Sequence, residues 1–251
     1  MKDLDMEAVR QFVNENVDTF HVGRLNKLQT LKVNRLIEKN PYLFRAKNVT
    51  LASEMIRGMM DAFLSSSEEE LFGVFLEELA IYVCGLTLGG HKSSSEGLDL
   101  EFSDEVTGRY YVVAIKSGKN WGNSSQHKAM IESFGLAAKR LRQSRHTKEV
   151  QPTLGICYGK TRTSYMEQGY LKVVGQNFWT LISGNRDLYK EIIEPVGYQA
   201  KQHNDKYVVE RSRIENLLTQ DFMSKFCNDG EIDWARLVEA NSGNYDLNKR
   251  L

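Results

Sequence analysis

Residues 97–121 read GLDLEFSDEVTGRYYVVAIKSGKNW, and here the chain changes its period. Upstream, apolar residues recur every three or four positions, as on an amphipathic helix. Here Leu98, Leu100 and Phe102 alternate with Asp99 and Glu101, which is strand spacing. SDEVTG supplies a turn, and RYYVVAIKS is rich in β-branched and aromatic residues, so the stretch predicts an antiparallel hairpin. The flanking sequence is mostly helical in pattern. The chain must therefore build a sheet covered by helices, which fixes its class as mixed α/β (α+β).

The spacing predicts helices over 5–20 and 24–39, the second ending at Asn40-Pro41, and over 51–64. Ser65-Ser66-Ser67 interrupts that pattern. Ser66 or Ser67 followed by Glu69 or Glu70 forms a capping-box signal for a further helix to about Cys84. After the hairpin a long helix is expected over 124–146, then strands at 153–159 and around 170–183. Helices follow near 186–194, 205–227 and 231–240. With no repeat or Pro/Gly linker, one domain over 1–251 is expected. It comprises an N-terminal helical part (1–64), a core (65–184) and a C-terminal helical part (185–251).

The 251 residues carry 33 basic and 33 acidic side chains. This balance argues against indiscriminate nucleic-acid binding but not against acids in a metal site with bases lining a groove. Cys84, Cys157 and Cys227 are too scattered for a disulfide framework or zinc knuckle and read as reduced core residues. The opening MKDLDMEAVRQFVNENVD is acidic and amphipathic, unlike a secretory leader. No apolar run reads as long enough to span a bilayer. A cytoplasmic protein without membrane contact is expected.

GLTLGGHKS (85–93) superficially resembles a phosphate-binding loop, but His91 breaks the spacing and a strand, not a helix, follows, so it reads as an ordinary loop. The five histidines lack ligand spacing.

The hairpin carries more chemistry. By strand alternation Asp99 and Glu101 share one face, and Ala114 and Lys116 share one face of the partner strand. A carboxylate and an ammonium at one sheet end suit phosphodiester hydrolysis. A hard cation such as Mg²⁺ takes one or two carboxylates plus the substrate phosphate, and the lysine positions or deprotonates the attacking water. The plainer reading is a solvated strand face. Glu77 sits at the rim of its helix's apolar face beside Gly73, Ala80 and Cys84, small neighbours that allow approach to the sheet, whereas Glu78 points to solvent. The polar loop after Lys116 offers Ser117, Lys119, Asn120, Trp121, Asn123, Ser125 and Gln126 as candidate DNA contacts; a simple surface loop is the alternative. The next helix ends in Lys139, Arg140, Arg142, Arg145 and Lys148, which suit DNA phosphates or merely a helix C-terminus.

Helical Glu77, then Asp99, then a strand ending Ala114-Ile115-Lys116 resembles the PD-(D/E)XK nuclease core. PYLFRAKN, SSSEEELFGVFLE, GGHKSSSEGLDLEF, IKSGKNWGNSSQ and FWTLISG resemble, more specifically, a family of type II restriction endonucleases that cleaves GGNCC-type sites. The likeness covers roughly residues 40–240. It implies a homodimer that cuts palindromic double-stranded DNA with Mg²⁺, paired in the cell with a methyltransferase acting on the same site. By position it makes Asp99 a metal ligand, Lys116 the residue serving the water, and Glu77 a supporting acid. Ala114 departs from the pattern, which expects an acid there. Some members of the superfamily carry that acid on the following helix, which favours Glu132 as the second catalytic and metal-binding carboxylate, with Glu101 next. The rival readings are a nuclease-like DNA-binding protein that does not cut, or a recombination or repair nuclease of the same core.

Overall fold

The computed structural model describes residues 1–144 and 149–245. The chain divides into two compact units, one of Met1–Asp18 with Phe72–Tyr198 and the other of Thr19–Leu71 with Gln199–Leu251.

Helices come first: α1 (Met6–Gln29), α2 (Val33–Leu36), α3 (Pro41–Ala46) and α4 (Ala52–Leu88). Two of these run through points where the sequence breaks a helix, although the expected helix 24–39 itself stops at Gln29 and resumes only as α2. Gly23 lies inside α1, a position that weakens a helix without ending it. The serine run 65–67 lies inside the 37-residue α4. Ser66 Oγ donates back to the Ala62 carbonyl at 3.1 Å, so the hydroxyl is satisfied within the helix instead of capping a new one. By length and composition α4 is also apolar enough to cross a membrane, contrary to the sequence reading. Its apolar residues, Met55, Ile56, Met59 and Met60 in one unit and Leu79, Ala80, Val83 and Cys84 in the other, are fully buried as protein core.

The sheet lies in the first unit. Its strands are β1 (His91–Lys92), β2 (Leu100–Asp104), β3 (Arg109–Lys116), β4 (Glu149–Ile156), β5 (Ser164–Tyr165) and β6 (Leu171–Val174). Their order is β1-β2-β3-β4-β6-β5. The predicted hairpin is β2–β3, antiparallel, with Leu100 opposite Val113 and Asp104 opposite Arg109. β3, β4 and β6 run parallel. The chain crosses from β3 to β4 through α5 (Ser124–Gln143), leaving Arg145, His146 and Lys148 outside the described residues. β4 starts four residues earlier than expected, because Glu149, Gln151 and Pro152 lack a strand-like composition.

One face of the sheet presents Leu100, Phe102, Val113 and Ile115 to α4 and the first half of α1. The other presents Val112, Ala114 and Leu154 to Met130, Phe134 and Ala137 of α5. The expected strand around 170–183 holds only at its start. Gly175, at φ 57°, ends β6, and residues 176–183 form α6 (Gln176–Ser183), whose Phe178, Trp179 and Ile182 fall on one helical side and bury against the sheet. α7 (Leu188–Glu191) and α8 (Ile193–Val196) complete this unit.

In the second unit, α9 (Ala200–Phe226) buries Tyr207, Ile214, Leu218 and Phe222 among Leu28, Leu36, Met55 and Met59. A two-stranded ribbon, β7 (Cys227–Asn228) and β8 (Glu231–Ile232), leads to α10 (Trp234–Ser242).

The sheet-to-α6 packing is tight at Gly155, where an added Cβ would lie 2.6 Å from Phe178 Cδ2. Gly155→Ala should therefore destabilise the protein by about 1–3 kcal/mol through overpacking. Chemical denaturation followed by tryptophan fluorescence checks this, and an unchanged midpoint would show that Phe178 yields freely.

Candidate active site

Asp99 stands just before β2, and both its backbone and its side chain are fastened to β3. Its N–H donates to the Val113 carbonyl at 2.9 Å, and its Oδ2 accepts the Ile115 N–H at 2.6 Å. Lys116, the last residue of β3, brings Nζ to 3.8 Å from the same Oδ2. The lysine also lies 5.5 Å from the centre of the Trp121 ring, which packs on His127 at 4.1 Å. A cation over an aromatic face is favourable, so Trp121 limits where the ammonium can swing.

Glu77 of α4 lies within electrostatic range of this pair. It is half-buried and makes no hydrogen bond among the described residues. Burial raises its pKa, and so does the charge of Asp99, against the pull of Lys92 and Lys116. The Asp99 pKa is raised too, by burial, against the Ile115 N–H, Lys116 and Lys92. Two carboxylates thus share a desolvated corner in which the nearby lysines do not fully offset their charge. A hard divalent cation suits that donor set, since Mg²⁺ is commonly held by one or two carboxylates together with substrate phosphate. No group of three or more potential ligands from His, Cys, Asp and Glu occurs among the described residues.

Glu101 and Glu132, the two acids named to replace the one absent at Ala114, lie elsewhere. Strict alternation would put Asp99 and Glu101 on one face, but it breaks between Leu98 and Leu100. Leu98 packs under α5, whereas Leu100 packs against α4. Asp99 therefore lies at the strand end, while Glu101 is sealed under α5 at 2% exposure. Its oxygens accept from Ser93 Oγ at 2.6 Å, Tyr110 Oη at 2.9 Å and Arg140 Nη2 at 2.6 and 2.7 Å. Burial acts to raise the Glu101 pKa, but the bonds from Ser93, Arg140 and Tyr110 outweigh it and hold the carboxylate below its ordinary range. This is a saturated structural ion pair. It also occupies Arg140, one of the cations assigned to DNA phosphates.

Glu132 is exposed on α5, roughly 200° around the helix from Met130, which faces the sheet. Its charge is not among those acting on Asp99. Ala114 is fully buried in the apolar layer with Val112, Met130 and Phe134.

The loop after Lys116 divides in the same way. Asn123 and Gln126 form a capping box at the start of α5: Asn123 Oδ1 accepts from the Ser125 and Gln126 N–H groups, and Gln126 Oε1 accepts from the Asn123 N–H at 2.8 Å. The Ser117 carbonyl accepts the Tyr158 N–H, and Gly73 leaves room for the Ser117 side chain. Lys119, Asn120 and Ser125 are exposed. A cavity of about 370 Å³ runs between Lys116, Trp121, Gln126 and Ser133.

Two neighbours escaped the sequence reading. The buried Cys157 thiol has its pKa pushed up by burial and by Glu77 and Asp99, so it lines the acid corner as an uncharged wall. Its backbone N–H donates to the Lys116 carbonyl at 2.9 Å. Lys92 of β1 acts on both acids. A lone cysteine and a lysine in a failed loop motif gave no signal of a shared site.

A carboxylate whose folded pKa is raised holds its proton more tightly when folded, so stability falls as pH rises from the ordinary carboxylate range through the raised value. Asp99→Asn and Glu77→Gln remove that loss. In metal-free buffer at neutral pH each variant should melt above the wild type, and the gap should close below the ordinary carboxylate range. Melting temperatures at or below wild type for both variants at neutral pH would contradict the crowding of the two acids.

The family model described as Type II restriction endonuclease EcoO109I matches residues 7–204, which include every residue of the acid corner and its lysines. No curated protein matches the chain. The match spans well over half of the sequence and agrees with a mixed sheet flanked by helices that gathers two acids and a lysine at one end. The chain therefore belongs to the EcoO109I family of type II restriction endonucleases, enzymes that hydrolyse phosphodiester bonds of DNA at specific sites.

Proposed function

We propose that this restriction endonuclease cuts a short palindromic duplex site of GGNCC type with Mg²⁺, using Glu77, Asp99 and Lys116. The observation that carries this reading is the convergence of the three side chains, with the lysine 3.8 Å from the aspartate and both carboxylates kept from easy ionisation by burial. Asp99 and Glu77 would hold the ion. When bound, Mg²⁺ supplies electrophilic assistance to the scissile phosphate and offsets its growing negative charge.

The protein's own groups do the rest. The Ile115 N–H holds Asp99 Oδ2 in place, leaving Oδ1 without a hydrogen bond among the described residues. Lys116 positions the attacking water and faces the charge that accumulates on the phosphate. The Trp121 ring beneath its ammonium restricts the lysine to that side of the sheet end. Exposed Lys119, Asn120 and Ser125 are placed to meet DNA at the mouth of the site, with Lys139 and Arg142 offering further phosphate contacts. A palindromic site is matched by a two-fold protein, so the active species is a homodimer. Its cellular setting is the cytoplasm, beside a methyltransferase that protects the same site.

Asp99→Asn should lose cleavage while keeping duplex affinity within about tenfold, or 1.4 kcal/mol, because a metal ligand is removed and no phosphate contact is. Glu132→Ala should cut at the wild-type rate. Cleavage assays with Mg²⁺ and binding assays without it check both. Normal cutting by Asp99→Asn would remove the carboxylate from the mechanism.

A further inference from the structure

We propose that Lys92 is a second catalytic lysine, touching the scissile phosphate from the side of the acid pair opposite Lys116. This deepens the Mg²⁺-nuclease reading and rests on it.

The geometry begins where α4 ends. Gly89, at φ 68°, turns the chain back, and the Gly90 N–H donates to the Cys84 carbonyl at 3.0 Å. Gly90 must be glycine for this turn. A Cβ there would press on Cys84 Sγ and stand 3.1 Å from Leu100 Cδ1. The reversal lays β1 antiparallel on β2, with Lys92 opposite Leu100. One residue on, the Ser93 N–H donates to the Asp99 carbonyl at 3.1 Å. The GGHKS stretch thus runs directly alongside the acid-bearing segment.

The direction of the lysine follows from its neighbours. Ser93 Oγ binds Glu101, which meets Arg140 of α5, so Ser93 points to the α5 face. Directly opposed residues of paired strands project to the same face, so Lys92 follows its register partner Leu100, away from Ser93. Its register partner Leu100 packs on that face against α4, the helix that carries Glu77. The charge of Lys92 accordingly acts on both Glu77 and Asp99. Lys116 is drawn toward Asp99 and Trp121, whereas Lys92 is exposed and makes no ion pair among the described residues. An unengaged ammonium beside two carboxylates suits a ligand that brings its own negative charge, and in a nuclease that ligand is the phosphate.

The test uses the full-length enzyme, a plasmid fragment that the wild type cuts, and the variants Lys92→Gln, Lys92→Arg and Asp99→Asn. If Lys92 meets a phosphate, Lys92→Gln should lower the slope of log affinity against log salt by about 0.9 for each phosphate that it no longer neutralises, measured without Mg²⁺. It should also reduce kcat at least about tenfold, as removal of a donor to transition-state charge does. Lys92→Arg should restore most of both, and the two Lys92 variants should melt near wild type. An unchanged salt slope overturns the proposal. With a lowered Mg²⁺ requirement it would show that Lys92 only balances the acids, and with a lowered melting temperature it would show a packing role. A reduced slope with normal cleavage overturns it too, by placing Lys92 on a phosphate other than the scissile one. If Asp99→Asn also cuts normally, the active-site reading fails as a whole, an outcome separate from failure of Lys92 alone.

Discussion

The hydrogen bond from the Ile115 N–H to Asp99 Oδ2 sets the geometry on which the site depends. It ties an acid lying outside β2 to the strand that ends in Lys116, and so fixes Asp99 and Lys116 to one backbone. The backbone of Asp99 is held on both sides, by the Val113 carbonyl and the Ser93 N–H, so without that bond only the carboxylate would be free to turn to solvent. With it, the carboxylate stays desolvated at a sheet end whose other layers are packed side chains. Backbone N–H groups that bond a charged carboxylate are among the stronger hydrogen bonds a protein makes, and they orient as well as stabilise.

The long α4 supplies the second constraint. Its uninterrupted run through the serine stretch carries Phe75, Leu79 and Val83 into the core, and that packing holds Glu77 at the edge of the acid corner. Two carboxylates are thereby kept close at some cost in stability, a form of strain suited to a site that gains a cation. Cys157 and the apolar layer around Ala114 exclude further charge from the inner side. Lys92 and Lys119 are exposed, and Lys116 partly so.

Much of this arrangement was legible in the sequence. The hairpin could be read from alternation and turn residues, and Asp99, Lys116 and Glu77 from their places on strand ends and a helical wheel. Those signals are local, and local geometry decides them. The burial of Glu101 was not legible, because the break in alternation between Leu98 and Leu100 depends on which layer each leucine fills. The exposure of Glu132 was not legible either, because a helix that packs back on a sheet reveals its buried face only through the whole set Met130, Phe134, Ala137 and Leu141. FWTLIS reads as a strand by composition but becomes α6 because Gly175 ends β6 and the sheet needs a cover at that point. Lys92 was hidden for another reason. Its role comes from a glycine turn that folds the loop back along β2, and no spacing within the loop expresses that.

With Mg²⁺ bound, the two carboxylates at this sheet end should cut DNA at one defined site. The most direct measurement is to incubate the purified protein with unmethylated plasmid and Mg²⁺ and to sequence the fragment ends. The account predicts discrete fragments whose ends share a single short palindromic sequence, and no cutting when the metal is chelated. Tight DNA binding without cleavage, or nicks at scattered positions that follow DNA structure, would contradict it.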